Sequence, residues 1–236
     1  MQIELREYQK QDFKVLETII RETWHYDDFS TSKTAVKLAR VFLSSCLTNY
    51  TFSRVAVVDG NVAGIILANN ITKHKCPFSN RLLQIKSILS LYSSKEGRNV
   101  SKIFGNVNGI DKQLLNENNK TYPAELALFA ISSSCRGKGI GKMLFQSALN
   151  YMKQEKLKEF YLFTDTSCNY GFYEHQGMKR RLEKKHVFNI KGQQAVMNFF
   201  IYDYQISNWV KNWKELSLME QKRIKKKSLH KKSVIW

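Results

Sequence analysis

The stretch Ser132-Ser133-Ser134-Cys135-Arg136-Gly137-Lys138-Gly139-Ile140-Gly141-Lys142 follows an apolar run, 126–131, and precedes a segment of helical periodicity. It therefore reads as a strand, a glycine-rich turn and a helix N-terminus in series. Glycine lacks a Cβ, so the backbone at Gly137, Gly139 and Gly141 can take unusual dihedrals and bring several N–H groups close to one anion. Arg136, Lys138 and Lys142 add positive charge at the positive end of a helix dipole, which suits a pyrophosphate. A Walker loop is excluded because Met143, and neither Ser nor Thr, follows Lys142. The glycine spacing also misses the dinucleotide fingerprint.

Outward from the turn, the apolar residues Ile140, Met143, Leu144, Ala148, Tyr151 and Met152 form one helical stripe, which is core packing. On the other side, 124–131 is almost continuously apolar, as in a central strand covered on both faces. Residues 160–164 read as a second buried strand, and 168–176 as a short helix that Gly177 stops. The chain closes with strands at 178–190 and 195–204 around Lys191-Gly192. Toward the N-terminus the reading is a strand at 3–8, then a helix from Asp12, its plausible N-cap. A polar-aromatic loop follows at 24–31, then a helix at about 33–47. Strands at 52–58 and 62–68 are joined by Asp59-Gly60-Asn61, a strong hairpin signal. Residues 69–122 break this rhythm, with helices expected at 80–92 and 110–118 and a polar stretch between them. So long a connection is either a functional insertion or packing on the outside of the sheet or a dimer contact.

The pattern Arg136-x-x-Gly139-x-Gly141 after a strand, with Phe172-Tyr173-Glu174-His175-Gln176-Gly177-Met178, resembles the GNAT superfamily of N-acetyltransferases across 125–178. The order of elements agrees with it independently. The resemblance implies an α/β (α+β) fold, a central mixed, mostly antiparallel sheet with splayed central strands flanked by helices, plus the helical insertion at about 70–121. The domain is expected over 1–206, with a basic, partly helical extension over 207–236.

It further implies acetyl-CoA as co-substrate, with pantetheine along the backbone of Phe129, Ala130 and Ile131. The pyrophosphate is expected on the amides from Arg136 through Gly137, Lys138, Gly139 and Ile140 to Gly141, beside Lys142. The acetyl group of acetyl-CoA is expected to pass to a primary amine of a small molecule or peptide by direct attack in a ternary complex. A protonated amine must lose its proton before it attacks, which is general-base work. Glu125 reads either as that base or as an exposed strand-end carboxylate, and Tyr173 as the acid for the leaving thiolate or a core tyrosine. Where many members carry a cofactor-binding asparagine stands Thr166; Asn169 is its substitute or a helix cap. The loop offers Trp24, Asp27 and Asp28 for a cationic acceptor, although both aspartates also suit loop or cap roles.

Composition bounds the alternatives. The chain has 236 residues, 43% hydrophobic and 25% charged, ordinary for a globular protein. No run reaches the roughly 20 apolar residues that span a bilayer, and no signal-peptide pattern opens the chain, so no membrane contact and a cytoplasmic location are expected. Cys46, Cys76, Cys135 and Cys168 lack paired spacing and read as reduced packing residues; with the histidines dispersed, no metal is expected. The formal charge of +18 favours anionic partners. Much of it lies in the tail, so the alternative is a non-catalytic protein of this fold binding nucleic acid or an acidic surface through that extension. A homodimer is a family-level expectation.

Overall fold

The computed structural model describes residues 1–190 and 193–206; the expected extension, 207–236, and the Lys191-Gly192 turn lie outside the described residues. Seven strands form one sheet in the order β1-β2-β3-β4-β5-β7-β6. They are β1 (Ile3–Arg6), β2 (Phe52–Val58), β3 (Asn61–Asn70), β4 (Ala124–Ile131), β5 (Glu159–Asp165), β6 (Lys179–Ile190) and β7 (Gln193–Gln205). Every neighbouring pair is antiparallel except β4 and β5, which run parallel and register at a single pair, Glu125 opposite Tyr161. Beyond that pair the two strands part.

The parting has a local cause in β4. Opposite β3, Leu67 faces Leu128 and Ala68 faces Leu126, so Ala127 is an extra residue, a β-bulge that bends its strand. On one side of the bulge Ala124 and Leu126 pack with the helix α6 (Ile140–Gln154); beyond it Leu128 and Ala130 pack on the opposite face. Both faces of β4 are thus covered, as its apolar run predicts.

The second face carries α1 (Phe13–Thr23), the short α2 (Tyr26–Phe29) and α3 (Ser32–Cys46), whose apolar stripes meet Val55, Ile65 and Leu67. The loop expected over 24–31 therefore contains a turn of helix. Asp12 does not cap α1 with its side chain. Its carboxylate, almost fully buried, takes two bonds from the Arg6 guanidinium, both 2.7 Å, and one from the Gln9 amide at 2.8 Å, which pins the end of β1 to the start of α1.

The insertion differs most from expectation. After α4 (Phe78–Tyr92), the polar stretch and the short helix are one helix of 23 residues, α5 (Lys95–Glu117). Ser94 starts it by accepting the Gly97 amide at 3.0 Å, and Gly97 sits where a Cβ would lie 1.9 Å from the Leu91 carbonyl oxygen. Val100, Ile103, Val107, Ile110 and Leu114 recur at steps of three and four, and this stripe packs in the core or against it. Ile110 and Leu114 cover Tyr161, Phe199 and Ile201, the half of the second face that α1 and α3 leave open. The insertion is thus a layer of the sheet.

Candidate active site

Where β4 and β5 part, a cleft of about 520 Å³ opens. Its walls are 125–131 of β4 and 162–165 of β5; the glycine turn, α7 (Gly171–His175) and the end of α1 close it, and Val107 and Asp111 reach it from α5.

The turn is built as the sequence requires. After a short 3-10 turn (Ser133–Cys135), Gly137 and Gly139 take φ of +75° and +81°, the left-handed region that side chains with a Cβ avoid. A Cβ at either would meet nothing within 4 Å, so their outer side is open space. Gly139 caps α6, whose first amides cannot find partners within the helix. Among the described residues, the amides of Gly139, Ile140, Gly141 and Lys142 donate to no protein acceptor. Nor does a carboxylate pair with the exposed Arg136, Lys138 or Lys142. Four free amides and three cations without a carboxylate partner, of which Arg136 donates from Nε to the Ile131 carbonyl at 3.4 Å, fit a diphosphate in charge and shape.

Two of the expected turn residues have a different task. Gly141 is helical, and a Cβ there would come within 3.1 Å of Ile131 Cδ1 and 3.5 Å of Phe172, so its missing side chain lets α6 pack onto β4 and α7. The Ile140 side chain is a core residue, which leaves only its amide for a ligand. Phe129, Ala130, Ile131, Arg136, Gly137, Gly139, Gly141, Lys142 and Asn169 line the cleft; Lys138 and Ile140 do not. Asn169 makes no side-chain cap of α7. Thr166 is tied to β7, its N–H donating to the Asn198 carbonyl at 3.0 Å and its hydroxyl accepting from the Asn198 amide at 3.2 Å.

Glu125 lies at the closed end of the strand pair. Its Oε2 accepts from Asn49 Nδ2 at 2.8 Å, and Asn49 in turn accepts from Asn69 at 2.6 Å; the Tyr161 hydroxyl also bonds to the carboxylate. Burial raises its pKa, and the bonds from Asn49 and Tyr161 offset only part of that rise. Glu125 is not the freely exposed strand-end carboxylate of the alternative reading. Tyr173 is half-buried against Phe129, Phe172 and Tyr202, and burial pushes its hydroxyl well above the usual phenol range. Such a phenol stays protonated at neutral pH and so keeps a proton to give. Burial likewise pushes the Cys168 thiol up to about 11, which leaves little thiolate and agrees with a packing role.

The acceptor-side expectations divide. Trp24 lines the cleft, tilted against Phe42 with centroids 4.7 Å apart. Asp27 and Asp28 lie outside it, and Asp27 is held in a fork by Arg21 at 2.5 and 2.6 Å. Asp111 and Asp165, which the sequence reading missed, are in the cleft instead. The stripe of α5 could have found the first: Asp111 is four residues beyond Val107, on the same helical face. Among the described residues no three His, Cys, Asp or Glu side chains cluster to hold a metal, and no helix is long and apolar enough to cross a membrane.

A mixed sheet opened between two parallel strands, with an anion-ready turn at one end of the gap, is the arrangement that the resemblance implies. Residues 101–178 match the family model described as acetyltransferase (GNAT) family. That segment is similar to the family, and the sheet around it has the fold the resemblance implies. Among solved structures, SsHAT superposes with a TM-score of 0.53 at 14% identity, covering 87% of this chain and 99% of that one. The smu.2055 protein of Streptococcus mutans UA159 does so at 0.51 and 14%, covering 86% and 99%. The ribosomal-protein-alanine N-acetyltransferase of Brucella melitensis gives 0.50 and 14%, covering 86% and 99%. These are likenesses of fold. No curated protein sequence matches the chain.

Proposed function

We propose that this chain transfers the acetyl group of acetyl-CoA to a primary amine by direct attack in a ternary complex. The observation that carries the reading is the continuity of the cleft: it runs from the free amides of Gly139 to Lys142, along β4, to Glu125 and Tyr173. The six residue steps from Glu125 to Ile131 span about 20 Å at roughly 3.3 Å per residue.

When bound, acetyl-CoA would supply an activated acetyl thioester. The turn amides, with Arg136, Lys138 and Lys142, would hold its phosphates. The backbone of Phe129, Ala130 and Ile131 borders the cleft where β4 has no neighbour on that side, so its polar groups there are available to pair with an extended amide-bearing chain. Glu125, made more basic by burial, would take the proton that the attacking ammonium must lose. Tyr173 would give its hydroxyl proton to the leaving sulfur and regain one from the nitrogen of the adduct, which must lose its second proton to become the amide. Holding amine and thioester side by side supplies a further large factor, because a bimolecular step becomes effectively unimolecular.

Release of free thiol from acetyl-CoA in the presence of a panel of primary amines tests the proposal. Amine-dependent release that falls about 10²-fold or more in Glu125→Gln is the expected outcome, in line with the usual worth of a general base. A thiol signal independent of any amine, or absent throughout the panel, would count against it.

A further inference from the structure

Among the described residues, the large apolar side chains left exposed are unevenly spread. Ile71, Phe78, Leu82, Ile85, Leu89 and Tyr92 all fall within 71–92, whereas Met1, Val15, Met143, Val187 and Val196 are scattered over the rest. From Phe78 to Tyr92 the steps are four, three, four and three, so these five side chains form one stripe along the outer side of α4. Phe78 is 79% exposed and Leu89 65%, far more than a packed side chain keeps. The helix is not free to roll and hide them. Asn80 Nδ2 donates to the Leu47 carbonyl at 2.8 Å, Gln84 Nε2 to Ser45 Oγ at 3.1 Å, and Lys37 Nζ of α3 to the Ser90 carbonyl at 2.7 Å. Ser87 and Leu91, on this inner side, are buried. A helix that is apolar on both sides calls for cover on both.

Charge decides what cover fits the outer side. Residues 71–94 contain Lys73, Lys75, Arg81 and Lys86 and no Asp or Glu. At about 100° per residue, Arg81 falls on one edge of the stripe and Lys86 on the other. Lys73 pairs with Glu155 at 2.7 Å. Among the described residues no carboxylate pairs with Lys75, Arg81 or Lys86, all of them exposed. A second copy seated here would set this basic rim against itself, in a chain whose formal charge is +18, so charge opposes self-association through the face. An apolar stripe between two cations matches an anionic lipid surface instead. There the apolar side chains enter the acyl boundary, and Arg and Lys keep their charged ends among the headgroups.

We infer that the outer face of α4 docks the protein on an anionic bilayer surface. The helix lies in the plane of the interface, with Phe78, Leu82, Ile85, Leu89 and Tyr92 inserted and Arg81 and Lys86 at the headgroups. Such a contact is peripheral and needs no spanning helix. It replaces the expectation of no membrane contact, which rested on spanning and leader patterns alone. It is also independent of the acetyl-transfer reading.

The test is flotation of the full-length chain with vesicles of phosphatidylcholine, alone and mixed with phosphatidylserine. The expected result is binding to the mixed vesicles that weakens at least about tenfold in the double variant Phe78→Ser with Leu89→Ser. Arg81→Gln and Lys86→Gln should each weaken it about fivefold. Val196→Ser, which removes an exposed apolar side chain on β7, should leave it unchanged. Melting curves that match the wild type report that each variant is folded. Absence of binding, or equal binding to phosphatidylcholine alone, overturns the inference. Binding that the double variant retains also overturns it, because the contact then comes from basic residues elsewhere, 207–236 included. So does a wild type that sediments as a dimer while the double variant sediments as a monomer, because a second copy then covers the face.

Discussion

At the scale of single residues, the site separates groups by the form burial allows them. A half-buried phenol such as Tyr173 stays a proton donor, whereas Glu125 keeps the carboxylate's capacity to accept at a pKa that burial raises. Tyr173→Phe should therefore lower kcat by about 10²-fold while the KM for acetyl-CoA moves far less, measured by steady-state thiol release. If Glu125 is the base, as proposed, it acts only when ionised, so the rate should rise with pH through its raised pKa; Glu125→Gln should remove that acid limb from the profile. Asp111 makes a prediction about stability. Its carboxyl is raised from the ordinary 3.8 to about 7, so between those values the native state keeps a proton that the unfolded chain has released. Its contribution to stability is then greatest at the acid end and is lost as pH rises toward 7. Denaturant unfolding should show Asp111→Asn equal to the parent near pH 4 and more stable than it near pH 8. The turn glycines and Tyr173 were legible because their residue types stand at fixed spacing. Asp111 and Asp165 were not, since a lone aspartate gains meaning only when distant segments are brought to one cleft.

At the scale of elements, α5 accounts for most of what the sequence concealed. Gly97, Gly105 and Gly109 and its many polar residues weaken the intrinsic helix signal, and the apolar stripe from Val100 to Leu114 asserts itself only against the sheet. Propensity was overridden by burial. The corner between α4 and α5 is the vulnerable point of this layer. Ser94→Ala removes the bond to the Gly97 amide and should cost about 1 kcal/mol in denaturant unfolding. Gly97→Ala should cost more, since a Cβ 1.9 Å from the Leu91 carbonyl oxygen cannot be accommodated without moving the backbone. The splaying of β4 and β5 was legible only through the family resemblance; its local cause, the extra residue Ala127, carries no signature in an alternation of apolar letters.

At the scale of the whole molecule, one buried carboxylate ties the insertion to the far strands. Asp203 of β7, 1% exposed, accepts from Lys120 at 2.8 Å, Tyr122 at 3.0 Å and Arg181 of β6 at 2.8 Å. Burial works to raise its pKa, but those three bonds outweigh it and hold the group below the usual carboxylate range. Its stabilisation is therefore present above the unfolded-state pKa and lost as pH falls through the lower folded value. Asp203→Asn should destabilise the fold at pH 7 and lessen its sensitivity to acid, read from melting curves between pH 3 and 7. The order of elements and the hairpin at Asp59-Gly60-Asn61 were plain in the sequence because turn chemistry and hydrophobic period act locally. The closing of the second face by α5 was not, because it depends on contacts between residues far apart in the chain.

The central claim is that the turn at Arg136 to Lys142 grips the diphosphate of acetyl-CoA and so aligns the cleft for transfer. Isothermal titration of acetyl-CoA into the wild type and into Gly139→Val tests it most directly. A β-branched residue at φ +81° is strained, and the turn should lose its shape. Saturable one-site binding in the wild type, weakened at least tenfold in a variant that still melts cooperatively, is the predicted result. No heat of binding in the wild type, or undiminished affinity in Gly139→Val, would contradict the account.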